Sequence, residues 1–130
     1  MTKEELVDYW NSSAQHDLES ADSMFEAGRY DWCLFAGHLA LEKMLKAIFS
    51  AKNDEQLPPK IHNLVRLAEV SGVGLSDEQK FLMDQINDFN IQTRYPDYKL
   101  DFYRRCTKDY SEKYLGKIKE LYAWLNSLLK

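Results

Sequence analysis

Apolar positions recur at helical spacing along almost the whole chain. From Lys3 to about Ala27, Leu6, Tyr9, Trp10, Leu18, Ala21, Met24 and Phe25 alternate with acids and amides, which predicts an amphipathic first helix. Gly28 is placed to end it, because a left-handed residue just past a helix costs glycine least, and Asp31 is placed to cap the next helix. That second helix, about 31–52, is the least polar: Trp32, Phe35, Ala36, Leu39, Ala40, Met44, Leu45, Ala47 and Ile48 cover more than one face, so it belongs at the centre of a bundle. The small residues Ala36, Gly37 and Ala40 let a neighbouring helix approach closely.

Pro58-Pro59 forbids continuation and separates a short third helix, about 60–71, whose Ile61, Leu64, Val65 and Ala68 share a face. Ser76 followed three places later by Gln79 reads as a capping box, opening a fourth helix with Phe81, Leu82, Ile86 and Phe89 as its apolar stripe, ending near Asn90. Thr93-Arg94-Tyr95-Pro96-Asp97-Tyr98 breaks the pattern, since a residue before proline is pushed towards extended geometry. From about Thr107, Tyr110, Tyr114, Ile118, Leu121, Leu125 and Leu128 give a long fifth helix with a seam near heptad spacing. No repeat or linker interrupts this order. The fold class expected is all-α, an antiparallel four- to five-helix up-and-down bundle forming one domain over residues 1–130.

Length and composition agree with that picture. A chain of 130 residues, 45% hydrophobic and 29% charged, can build one core without a staple. No apolar run approaches the ~20 residues that cross a bilayer. Met1-Thr2-Lys3-Glu4-Glu5 carries acids where a signal peptide is basic and then apolar, so a cytoplasmic location is expected, with Cys33 and Cys106 as free buried thiols. The net charge of −4 disfavours duplex DNA.

Candidate chemistry is sparse. His16, His38 and His62 fall on three different predicted helices, and Cys33 and His38, five apart, lie about 140° apart around a helix. No metal site, cofactor, phosphate loop or nucleophile elbow is expected. Along the second helix His38, Glu42 and Lys46 sit at i, i+4 and i+8 and form one polar stripe, either a ladder of helix-stabilising contacts or part of a site. His62 follows the proline pair, where it either closes the bundle end or meets a ligand. Arg94 and Tyr95 combine a forked cation with an aromatic face, suited to a phosphate and a base, or else to helix-end carbonyls and a proline. The last helix interleaves tyrosines with Arg104, Arg105, Lys108, Lys113, Lys117 and Lys119, but Asp101, Asp109, Glu112 and Glu120 dilute that charge and favour a solvated face.

The stretch from Arg29 to Ala47, with small residues leading into Leu41-Glu42-Lys43-Met44-Leu45-Lys46-Ala47, resembles the second-helix signature of HEPN domains. The resemblance continues through His62-Asn63-Leu64 and Arg94-Tyr95-Pro96-Asp97 and so spans nearly the whole chain. It implies a bundle of four or five helices, homodimerisation and association with nucleotides or RNA, and some members are toxins paired with a small nucleotidyltransferase antitoxin. Ribonuclease members carry an arginine followed after four to six residues by histidine, a cation for the phosphorane-like charge and an imidazole for the protons. That motif is absent here: eight residues separate Arg29 from His38, and Arg66, Arg94, Arg104 and Arg105 have no histidine downstream. The expected function is therefore a non-catalytic nucleotide- or partner-binding HEPN protein, dimeric, acting beside a separately encoded nucleotidyltransferase, with His38, Glu42, Lys46, His62, Arg94 and Tyr95 as the nucleotide-binding residues. The competing readings are a ribonuclease toxin whose active site draws Arg94 together with His38 or His62, and a structural dimerisation module.

Overall fold

The computed structural model describes residues 1–54, 56–98 and 100–129, and among them it forms six helices and no strand. They are α1 (Lys3–Glu26), α2 (Tyr30–Lys52), α3 (Leu64–Val70), α4 (Asp77–Arg94), α5 (Asp101–Arg105) and α6 (Lys108–Leu129). The fold is all-α, as the periodicity predicts, and no helix among the described residues is long and apolar enough to cross a membrane.

Local chemistry fixes the helix ends. Thr2 and Glu5 form a capping box at the start of α1, and Ser76 and Gln79 form another at α4, each satisfying amide groups that a first turn leaves open. Gly28 takes φ +75° and closes α1 in a Schellman turn, the Arg29 amide donating to the Met24 carbonyl at 2.8 Å. Asp31 is not the cap expected of it. It lies inside the first turn of α2, whose N-cap is Arg29 without a side-chain bond, because the Schellman turn sends the chain straight into the new helix.

The central position of α2 is observed. It packs against α1, α3, α4, α5 and α6, and Leu34, Leu41, Met44, Leu45 and Ile48 are fully buried in the main core cluster with Leu64, Leu67, Met83, Ile86, Ile118 and Leu125. Gly37 faces α6, and a Cβ there would stand 2.7 Å from Ile118 Cδ1 and 3.3 Å from its Cγ2. Close approach is therefore the reason for a glycine inside this helix.

Three boundaries depart from the sequence reading. α3 begins at Leu64, not near residue 60, because Asn63 is its cap and the preceding residues are irregular. α4 runs on to Arg94 instead of stopping near Asn90: Pro96 constrains only Tyr95, whose amide still donates to the Ile91 carbonyl at 2.9 Å. A one-turn helix, α5, interrupts the connection before α6, started by the Asp97 carboxylate accepting from the Asp101 amide at 2.9 Å. Phe81, expected in the apolar stripe of α4, is instead exposed. Cys33 and Cys106 are both buried free thiols.

Replacing Gly37 by leucine should overpack the α2–α6 contact. Chemical denaturation should show a loss of about 1–3 kcal/mol, and an unchanged midpoint would mean that α6 does not lie this close.

Candidate functional site

A buried polar chain runs through the middle of α2. Glu42 is almost wholly enclosed, and each of its carboxylate oxygens has a partner: Oε2 accepts from Lys46 Nζ at 3.1 Å and Oε1 from His62 Nδ1 at 2.8 Å. A charge removed from water is tolerable only when paired in this way. The Lys46 ammonium also lies 5.3 Å from the centroid of the Trp10 ring. His38 is completely buried, and its Nε2 lies 2.9 Å from the His62 backbone carbonyl, which can only accept, so the proton sits on Nε2. The stripe read from the sequence is thus neither a solvated ladder nor a ligand-facing row; it is an internal clamp on His62.

Two asparagines hold the same segment from the other side. Asn63 Oδ1 accepts from the Arg66 amide at 3.1 Å, capping α3, and from Asn87 Nδ2 at 3.1 Å. Asn87 Oδ1 accepts from the Leu64 amide at 2.8 Å, latching the start of α3 to α4. One turn further along α4, Asn90 Oδ1 accepts from Arg94 Nε at 2.7 Å, while the Arg94 guanidinium lies 5.3 Å from the centroid of the Phe35 ring. Arg94 is therefore aimed by a hydrogen bond and a ring face; helix-end carbonyls play no part in the bonds observed.

Between these walls lies an open pocket of about 290 Å³, lined by His62, Asn63, Asn87, Asn90, Ile91, Arg94 and Tyr95. Ligand pockets of small molecules begin near this size. The geometry sorts the six residues singled out in the sequence. His62, Arg94 and the exposed Tyr95 line the pocket, Glu42 and His38 stand behind His62 and touch it, and Lys46 is bonded to the far oxygen of Glu42 without lining the pocket. Sequence reasoning missed Asn63, Asn87 and Asn90. The signal available was their register with Arg94, since Asn87, Asn90 and Arg94 lie at i, i+3 and i+7 on one face of α4.

A larger groove of about 570 Å³ lies on the other side of the end of α4, lined by residues such as Met24, Trp32, Pro96, Leu100 and Tyr103. None of the six candidate residues lines it, and its polar side chains, Arg29, Asp31, Gln92, Thr93 and Tyr103, include a carboxylate that would oppose a phosphate. No cluster of metal-ligating side chains occurs among the described residues.

The HEPN domain profile matches residues 7–128. The chain belongs to the HEPN family. Two solved structures share the fold of this HEPN protein. TT1696 from Thermus thermophilus superposes with a TM-score of 0.79 at 24% identity, over 93% of this chain and 96% of that one. ST0689, an archaeal HEPN homologue, gives 0.76 at 20% identity, over 95% and 98%. No protein of curated function matches the chain.

Burial carries the His38 imidazole down to about 4 from the usual 6.5, with the Glu42 carboxylate and the His62 carbonyl recovering only part of the loss. The unfolded chain binds a proton below about pH 6.5 that the folded one refuses, so this stabilisation is complete above that pH and is lost as pH falls towards 4. Between about pH 7 and about pH 4.5 the loss from this residue should reach about 2–3 kcal/mol in urea denaturation. It should be missing from His38→Gln; an equal loss in both proteins would contradict it.

Proposed function

We propose that this HEPN protein binds a nucleotide in the pocket between His62 and Arg94, without a catalytic role, and acts beside a separately encoded nucleotidyltransferase as part of a homodimer. The family covers both nucleotidyltransferase-associated and ribonuclease toxin roles. The observation that carries the binding reading is the convergence, on one pocket, of the Arg94 guanidinium, the His62 imidazole and three asparagine amides, beside an exposed Tyr95 ring and with no carboxylate in the lining among the described residues. Phosphate falls to the forked guanidinium, and the tyrosine face suits a base. Lys46 supports the site through Glu42 in this reading, since its ammonium is already engaged.

A second reading, ribonuclease activity, draws on one specific observation. Glu42 accepts from His62 Nδ1, which leaves Nε2 unbonded to Glu42 as an acid–base atom, on a residue that lines the same pocket as Arg94. His38 is unsuited to that duty, being fully buried and bonded to a backbone carbonyl. Labelled RNA incubated with the protein under chelation should stay intact if the site only binds; cleavage that disappears in His62→Ala would replace the first reading by the second.

The binding reading is tested by thermal unfolding against a nucleotide panel. A ligand at about 100 times its dissociation constant adds ~2.7 kcal/mol and raises the midpoint by several degrees. The rise should vanish in Arg94→Ala, and a flat panel with the native protein would remove the nucleotide and leave a protein partner or a dimerisation role.

A further inference from the structure

The charges of the pocket can be counted whichever way its side chains turn. Among the described residues its lining is His62, Asn63, Asn87, Asn90, Ile91, Arg94 and Tyr95, so Arg94 is the one residue there with a permanent positive charge. Part of that guanidinium is already engaged: Nε donates to Asn90 Oδ1 at 2.7 Å, and the two Nη groups remain. His62 donates from Nδ1 to the Glu42 carboxylate at 2.8 Å, so a charge on its ring would be answered from behind. Two further cations are held by carboxylates and do not line the pocket: Lys46 Nζ lies 3.1 Å from Glu42 Oε2, and Arg105 Nη2 lies 3.5 Å from Asp88 Oδ2. Towards its amino end α4 turns acidic. Asp84, exposed, stands three residues before Asn87 and continues the row of Asn87, Asn90 and Arg94.

A chain of phosphates makes demands that this inventory does not meet. Sites for nucleoside triphosphates supply several cations or a run of free backbone amides, and they hold Mg²⁺ through carboxylates that share it with the phosphates. No aspartate or glutamate lines this pocket among the described residues, and Glu42 behind it has both oxygens engaged. One forked guanidinium answers one phosphate group, and a second or third group would find no cation in the lining. A volume of about 290 Å³, at the lower end of small-molecule pockets, suits a base with a single phosphate. We infer that the pocket takes a free nucleoside monophosphate, with its phosphate on the Arg94 Nη groups and its base on Tyr95. It selects this ligand over the triphosphate, and over an RNA strand, whose successive phosphates meet the same shortage of cations. The inference rests on the nucleotide reading above and adds to it the number of phosphates, without a choice of base.

Titration calorimetry on the full chain, with the mono- and triphosphates of adenosine and guanosine, reads this selection. Each monophosphate should bind about fivefold tighter or more than its triphosphate, and added Mg²⁺ should leave its affinity unchanged. Asp84→Lys sets a cation at the next position of the row, on an exposed turn away from the core, and should bring the ratio of the two affinities towards one. Asp84→Asn, which only removes the negative charge, should move the ratio part of the way. Triphosphates bound as tightly as monophosphates by the native protein, or more tightly, would overturn the selection and leave nucleotide binding standing. A preference that persists undiminished in both variants would overturn the charge argument. A 5′-phosphorylated hexanucleotide RNA bound about tenfold tighter than the mononucleotide would give the site to a strand and overturn the free ligand. Absence of binding by all of these would overturn the nucleotide reading as well.

Discussion

Glu42 is the constraint on which the rest depends. Its carboxylate is enclosed by α2 and its neighbours, and a buried charge that loses a partner costs about 3–5 kcal/mol, so the fold has to bring Lys46 and His62 to its two oxygens. Lys46 comes at no topological expense, one helical turn away. His62 does not: it lies twenty positions downstream, beyond the proline pair, and its arrival brings the irregular segment before α3 back against the middle of α2. The His38 bond to the His62 carbonyl secures the backbone at the same point. One wall of the pocket is thus a by-product of satisfying an internal charge.

The opposite wall is held by different means. Arg94 is on the last turn of α4, exposed, yet it is steered from two directions by the Asn90 oxygen and the Phe35 ring. Thr93 Oγ1 donates to the Phe89 carbonyl at 2.7 Å in the same turn, and Phe89 is packed among Phe102, Tyr110 and Tyr114, which anchors the end of α4 in the core. The two walls are joined by Asn63 and Asn87, so that a shift of α3 relative to α4 would disturb the site. The frame keeps the Arg94 guanidinium and the exposed Tyr95 ring on the same pocket.

The helices were legible because their apolar positions follow the 3.6-residue period and their ends carry ordinary signals, as at Gly28 and at Ser76 with Gln79. The boundaries that failed did so for local reasons: Pro96 acts on Tyr95 and not four residues earlier, and a helix of one turn such as α5 has no period to detect. The stripe of His38, Glu42 and Lys46 was visible, but its burial was not, since charges at i, i+4 and i+8 look alike whether the face meets water or His62. Arg94 and Tyr95 stood out because forked cations and aromatic rings are conspicuous beside a proline. Asn63, Asn87 and Asn90 did not, because asparagine is common at caps and on exposed helix faces, and only the docking of α3 onto α4 brings three ordinary amides to one pocket.

The central claim is that the buried Glu42 fixes His62, with its proton on Nδ1, at the wall of a nucleotide-binding pocket. Long-range ¹H–¹⁵N NMR of the three histidine rings, recorded before and after addition of nucleotides from the panel, tests it most directly. The account predicts that free His62 shows a protonated Nδ1, that its Nε2 resonance moves on titration, and that His16 and the enclosed His38 stay where they are. A protonated Nε2 with a bare Nδ1 in the free protein, or a titration that moves His16 and leaves His62 unchanged, would contradict it.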